Sequence, residues 1–184
     1  MRKLKLQVQM TVDGYIGGPN GEMDWTVRDW DSELKNYVGK ITESVDCIVL
    51  GRKLAQGFIP YWAANPQQEG ADTFNNTLRI VFTKTLDQPD WDNTILAKGD
   101  LVDEITKLKN QEGEDIIIYG GATFVSALIK HGLIDEFHLF INPVAIGSGM
   151  TIFKELGHNQ NLTLVKSTQF DCGIVVLNYE LKRD

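Results

Sequence analysis

The chain is short of the residues that would place it in several large classes of protein. Only two cysteines occur in 184 residues, Cys47 and Cys172, with no CxxC pair and no histidine at ligand spacing, so neither a disulfide framework nor a zinc site is indicated. Both sit in or beside apolar stretches and read as buried, reduced thiols, the state expected in the cytoplasm. No apolar run approaches the ~20 residues that span a bilayer, and the N-terminus opens on an alternating segment instead of a signal peptide. Basic residues are outnumbered, 18 against 25 acidic, for a net charge of −7. General binding to nucleic acid or to an anionic membrane needs a basic face and is therefore not expected. Repeats, low-complexity tracts and linker-like composition are also missing, and residues 1–184 read as one domain with a sizeable core.

What is present is an alternation of strands and helices. Leu4, Leu6, Val8 and Met10 alternate with Lys5, Gln7, Gln9 and Thr11, the period of a strand. A loop with four glycines follows, from Val12 to Gly21, which fits either a mobile lid over a site or a plain surface connection. A helix is predicted from Ser32 to Glu43, with Leu34, Tyr37, Val38 and Ile41 on one face. Asp46–Gly51 reads as a second, buried strand, with Arg52 and Lys53 at its carboxyl end as another helix begins. The polar segment from Ile59 to Thr77, with Pro60, Pro66 and Gly70, reads as a long excursion. Arg79–Lys84 and Asn93–Ala97 are further strands, and Asp100 caps a helix whose Leu101, Val102, Ile105 and Leu108 face inward.

The stretch Asp115–Ile129, DIIIYGGATFVSALI, joins a strand buried on both faces (Ile116 to Tyr119) to a helix carrying Phe124, Val125, Leu128 and Ile129. Gly120 and Gly121 form the corner. Without side chains there, the N–H groups of Gly121, Ala122 and Thr123 can face a pyrophosphate at the positive end of the helix dipole; the same corner would also serve as a tight turn that binds nothing. Beyond Gly132 the pattern changes to a strand at Glu136–Asn142, a glycine-bearing crossover at Pro143–Gly149, and strands Leu162–Phe170 and Ile174–Lys182 around Asp171-Cys172-Gly173. The fold class is α/β, a mostly parallel sheet with an antiparallel C-terminal hairpin.

Ligands of such sheets lie outside the carboxyl ends of the strands. Gly51-Arg52-Lys53, Thr83-Lys84, Lys98-Gly99 and Gly120-Gly121-Ala122-Thr123 all fall at such ends, so cations, hydroxyls and bare backbone converge on an acidic protein. A ligand with a pyrophosphate and a further phosphate would use all of them, and NADPH is such a ligand.

These residues resemble the dihydrofolate reductase superfamily, most closely the branch holding the reductase domain of the riboflavin-biosynthesis deaminase-reductase. The likeness rests on Val12-Asp13-Gly14-Tyr15-Ile16-Gly17, Ile48–Lys53, Ile80–Lys84, Tyr119–Thr123, and Ile134-Asp135-Glu136 through Pro143-Val144 to Gly147-Ser148-Gly149 with Phe153. It implies a three-layer α/β/α fold and an NADPH-dependent reductase of a small heterocycle. Gly51 lies in one of its motifs; Gly120, Gly121, Ala122 and Thr123 would hold the pyrophosphate, with Arg52 and Lys53 adding charge. Thr83 and Lys84 would face the 2′-phosphate, and Asp13, Gly14 and Ile16 would line the nicotinamide side of the lid. The chain departs from that branch in carrying Tyr119 where a glutamate usually precedes the double glycine, and in having no Arg or Lys from Ile59 to Leu78. A true dihydrofolate reductase would need a buried carboxylate near the start of the helix after the lid, where Asp29, Asp31 and Glu33 lie; Asp31 is the candidate, with helix capping as its alternative. A catalytically silent nucleotide-binding or assembly module is the reading from another class, and the C-terminal hairpin could pair two chains in a homodimer.

His131, His138 and His158 share no metal-ligand spacing, and His138, between Phe137 and Leu139, reads as structural. Ser148 in Gly-Ser-Gly lacks the GxSxG context of a nucleophile elbow. Phe58 and Trp62 could stack on a planar substrate or fill a core.

Overall fold

A computed structural model describes residues 1–183. In chain order the elements are β1 (Leu4–Thr11), α1 (Ser32–Thr42), β2 (Val45–Gly51), α2 (Arg52–Ala64), α3 (Ala71–Asn76), β3 (Leu78–Phe82), β4 (Thr94–Ala97), α4 (Leu101–Asn110), β5 (Asp115–Ile118), α5 (Ala122–Lys130), β6 (Glu136–Asn142), β7 (Leu162–Gln169) and β8 (Val175–Leu181). The strands form one eight-stranded sheet in the order β4-β3-β2-β5-β1-β6-β8-β7. The six strands from β4 to β6 in that order are parallel, in five pairings, and β8 is antiparallel to both β6 and β7. The α/β expectation and its antiparallel hairpin therefore hold.

Two apolar layers flank the sheet. On one side Leu4, Leu6, Val8 and Met10 of β1 pack with Ile105 and Leu108 of α4 and Val125, Leu128 and Ile129 of α5. On the other, Ile48, Leu50, Ile117 and Phe140 meet Leu34 and Ile41 of α1, Ala55 and Ile59 of α2, and Phe74 of α3. The alternation of β1 marks a strand, yet both of its faces are covered, because it lies in mid-sheet beneath helices on either side. Its polar side chains are consequently largely buried, and most are paired with neighbours: Lys5 Nζ lies 2.9 Å from Asp115 Oδ2 and donates to Ser44 Oγ, and Gln9 Oε1 accepts from Asn142 Nδ2, while Gln7 Oε1 has no partner among the described residues.

The excursion expected from Ile59 to Thr77 is mostly helical. α2 continues through Pro60 to Ala64, and α3 occupies residues 71–76. Pro60 removes a donor to the Gln56 carbonyl, but both residues are on the solvent side, where water can take its place. Ala55, Phe58, Ile59 and Trp62 meanwhile keep the helical period and pack inward. Cys47 is buried, whereas Cys172 is only partly so, because it sits in the turn between β7 and β8; both are free thiols.

Gly51 is a packing requirement: a Cβ there would stand 3.0 Å from Phe124 Cβ of α5. Gly57, on the exposed side of α2, has nothing within 4 Å. Replacement by alanine should therefore have opposite signs at the two sites: G51A loses about 1–3 kcal/mol through overpacking, while G57A gains about 0.5–1 kcal/mol by removing a helical glycine, both read from urea unfolding midpoints.

Candidate active site

Register brings the strand tips together. Gly51 is level with Phe82, and Phe82 with Ala97, while Val49 is level with Ile118. The carboxyl ends of β4, β3, β2 and β5 thus stand side by side, and the glycine corner rises from the last of them. Gly120 has φ +140° and Gly121 φ +88°, conformations that favour glycine. A Cβ on Gly120 would meet nothing within 4 Å, so the corner is open and no side chain of the protein fills it. The first helical hydrogen bond of α5 runs from Val125 N–H to Gly121 O, which leaves the N–H groups of Ala122 and Thr123 without helical acceptors.

The cations are arranged around that corner in different ways. Arg52 donates to Gln56 Oε1 at 3.0 Å from the first turn of α2, and Lys53 beside it is exposed. Lys84 Nζ donates to the carbonyls of Lys98 and Gly99, both at 3.1 Å, tying the β3 tip to the β4 tip. Thr83 is buried, and its oxygen accepts from the Thr85 and Leu86 N–H groups, so what it can still offer a ligand is its hydroxyl proton. Lys154 was not singled out in the sequence; its Nζ lies 3.5 Å from Thr123 Oγ1, beside the start of α5. It is remote in sequence from every strand tip, and the only available hint was its place just after Phe153.

The glycine loop after β1 is stitched to the crossover after β6. Asp13 accepts from the Ile146 and Gly147 N–H groups, and Ile16 and Gly17 exchange backbone hydrogen bonds with Met150. Gly149 is obligatory here, since a Cβ would collide with the Gly17 carbonyl. The Thr11 hydroxyl first, then the Gly147 and Ile146 N–H groups, hold the Asp13 carboxyl below the usual carboxylate range. Gly14 has φ +90° with open space around it, and Ile16 is half-buried.

Asp31 is occupied otherwise. One carboxylate oxygen caps α1 by accepting from Leu34 N–H at 2.8 Å, and the other accepts from Cys172 N–H at 3.1 Å. These same bonds, Leu34 first, keep it ionised below the ordinary range. Capping, the alternative read from the sequence, accounts for one oxygen and the tie to the β7–β8 turn for the other; a carboxylate so held is an acceptor and a poor source of a proton. His138 also proves structural: buried, it places Nε2 2.6 Å from Glu136 Oε1 and Nδ1 2.9 Å from Tyr37 Oη. That contact, chiefly, brings the Glu136 carboxyl down to about 2, and burial pushes the Tyr37 hydroxyl up to about 12. A groove of about 470 Å³ beside this trio, between α1 and the hairpin, lies at the amino ends of β1 and β6, away from the glycine corner.

The sheet order, the open glycine corner after β5 and the loop latched beside it are those of an α/β protein of the dihydrofolate reductase-like type. The chain belongs to the family described as the RibD C-terminal domain, which matches residues 2–176. It is 33% identical over 185 aligned positions to the uncharacterized protein YyaP of Bacillus subtilis (strain 168), covering 97% of this chain and 94% of that one. The fold matches the Thermotoga maritima diaminohydroxyphosphoribosylaminopyrimidine deaminase/5-amino-6-(5-phosphoribosylamino)uracil reductase at TM-score 0.73 and 16% identity, over 98% of this chain and 57% of the other. A pyrimidine reductase-like protein of Corynebacterium diphtheriae matches at TM-score 0.66 and 15% identity, over 100% and 93% of the two chains.

A carboxyl lowered by its partners stabilises the fold above its unfolded value, about 3.9 for aspartate, and ceases to do so as pH falls through the folded value. Asp31→Ala should accordingly lower the melting temperature at pH 7, with the gap to the parent closing below pH ~4. Circular dichroism melts across pH read this out, and a gap independent of pH would remove the carboxylate's charge from the account.

Proposed function

We propose that this protein is an NADPH-dependent reductase of a small heterocyclic substrate, related in chemistry to the 5-amino-6-(5-phosphoribosylamino)uracil reductases of its family. The observation that carries the reading is the open corner at Gly120 and Gly121, with bare backbone at the positive end of α5. Its surroundings fit the cofactor: Gly120, Gly121, Ala122 and Thr123 would hold the pyrophosphate, with Arg52, Lys53 and Lys154 as flanking charge. Thr83 and Lys84, one tip further out, would take the adenosine 2′-phosphate by a hydroxyl proton and an ammonium. Asp13, Gly14 and Ile16 would border the nicotinamide, Asp13 by holding the loop to the crossover. NADPH, when bound, supplies the hydride, and the protein supplies placement and exclusion of water. The continuous sheet supports one domain over residues 1–184, and the free thiols agree with a cytoplasmic setting. Among the described residues no helix is long and apolar enough to cross a membrane.

G121V should abolish NADPH binding, measured by calorimetry. K84A, placed away from the glycine corner, should narrow the preference for NADPH over NADH while leaving NADH affinity unchanged; equal NADPH affinity in both variants would defeat the reading.

A homodimer is the assembly we assign to the free edge of the sheet. β7 is exposed along nearly its whole length, with Leu164 52% and Val165 54% accessible and Lys166 its one charge. Unpaired edges of this kind recruit another strand. Two copies of β7 related by a two-fold at Val165 would place Lys166 opposite Leu164, apolar against apolar stem, with no like charges facing. Light scattering should give the mass of two chains, and L164D/V165D the mass of one.

A further inference from the structure

The space beside the nicotinamide position is bounded by α1 and α2, which share one face of the sheet. Tyr119 enters it from the tip of β5, immediately before the glycine corner. Its ring is edge-on to Phe58 of α2, centroids 5.8 Å apart, and Leu54 of the same helix lies 4.0 Å from a Cβ built on Gly121. From the α1 side come Val27 and Trp30, the latter stacked on Phe140 of β6 at 6.2 Å. All five, with Trp62, belong to the same apolar layer and keep part of their surface exposed, an aromatic and aliphatic wall on this face of the sheet.

Several polar groups around this wall are engaged, while Trp62 Nε1 is buried without a partner among the described residues. Trp30 Nε1 donates to Val27 O, and Tyr61 Oη donates to Gln68 Oε1. Tyr119 differs. Its hydroxyl makes no hydrogen bond among the described residues, so its donor is free, and burial raises the group to about 12.

The charges are those of a site that repels phosphate. From Ile59 to Leu78 there is no Arg or Lys. Arg79, next in the chain, is 3% exposed and spends its guanidinium on the carbonyls of Phe74, Asn75 and Asp92. Lys35 of α1 is 3.6 Å from Glu69, across the mouth between α1 and the α2–α3 connection. On the segment leading into α1, Arg28 is an exposed cation with no partner among the described residues, and Asp24, Asp29, Asp31 and Glu33 surround it in sequence.

We propose that the substrate is an unphosphorylated planar heterocycle, stacked between Phe58 and Trp30 and oriented by a hydrogen bond from the Tyr119 hydroxyl to a ring carbonyl or ring nitrogen. This rests on the reductase reading for the position of the ring, but the recognition is a property of the wall itself. A phosphoribosyl group would find carboxylates where it needs cations.

The test is a fluorescence titration, with Trp30 and Trp62 as reporters, of the full chain against 5,6-diaminouracil, pterin and lumazine, and against 5-amino-6-(5-phosphoribosylamino)uracil. At least one bare ring should bind, and the phosphoribosyl compound no more tightly than 5,6-diaminouracil. Tyr119→Phe keeps the ring contacts and removes one hydrogen bond, so it should weaken the bare ring about fivefold with an unchanged melting temperature; Arg28→Ala should change nothing. Failure of all three rings, an affinity indifferent to Tyr119→Phe, or a tenfold preference for the phosphoribosyl compound that Arg28→Ala removes would each overturn the proposal. NADPH affinity, measured separately, distinguishes the two levels: NADPH binding without Tyr119-dependent ring binding sinks this inference alone, and Tyr119-dependent ring binding without NADPH binding sinks the reductase reading alone.

Discussion

The arrangement depends on how closely α5 approaches β2. Gly51 has no side chain, so Phe124 can rest directly against the strand, and its ring meets Phe82 of β3 at 5.2 Å. That contact seats the first turn of the helix over neighbouring strand tips instead of beyond them. Everything polar at the carboxyl edge follows from it: the uncapped N–H groups face the corner, and Arg52 begins a helix one residue after the glycine that made the approach possible. A larger side chain at Gly51 would push the helix off the sheet and spread the cradle apart.

Around this packed centre, carboxylates act mainly on backbone. Asp13 joins the glycine loop to the crossover, Asp31 joins the start of α1 to the β7–β8 turn, and Asp100 caps α4 through the Val102 and Asp103 N–H groups. Each is lowered chiefly by hydrogen bonds to its charged form. These ties hold irregular segments in place where burial cannot, because loops with this many glycines lack side chains to pack. The face of the sheet toward α2 and α3 is held differently, by aromatic rings packed on one another: Phe58 meets Trp62, Phe74 and Tyr119.

Much of the fold was legible because its signals are local. Four consecutive apolar residues before Gly-Gly announce a buried strand and a sharp corner, and Asp100 announces a capped helix. The helices between Ile59 and Thr77 were hidden by composition: prolines and polar residues dominate, and the helical spacing of Ala55, Phe58, Ile59 and Trp62 was the weaker signal. Lys154 and the free hydroxyl of Tyr119 were invisible for another reason, since each owes its meaning to a neighbour far away in the chain.

The sequence by itself determined which elements form and which strand ends carry cations or bare backbone, because periodicity, capping and glycine conformation act within a few residues. Tertiary structure decided which of those ends become neighbours, that Asp31 is spent on Leu34 and Cys172, and that Thr83 turns its oxygen to its own loop. Strand order and side-chain pairing depend on contacts across tens of residues, and a hydrogen bond, once made inside the protein, is no longer available to a ligand.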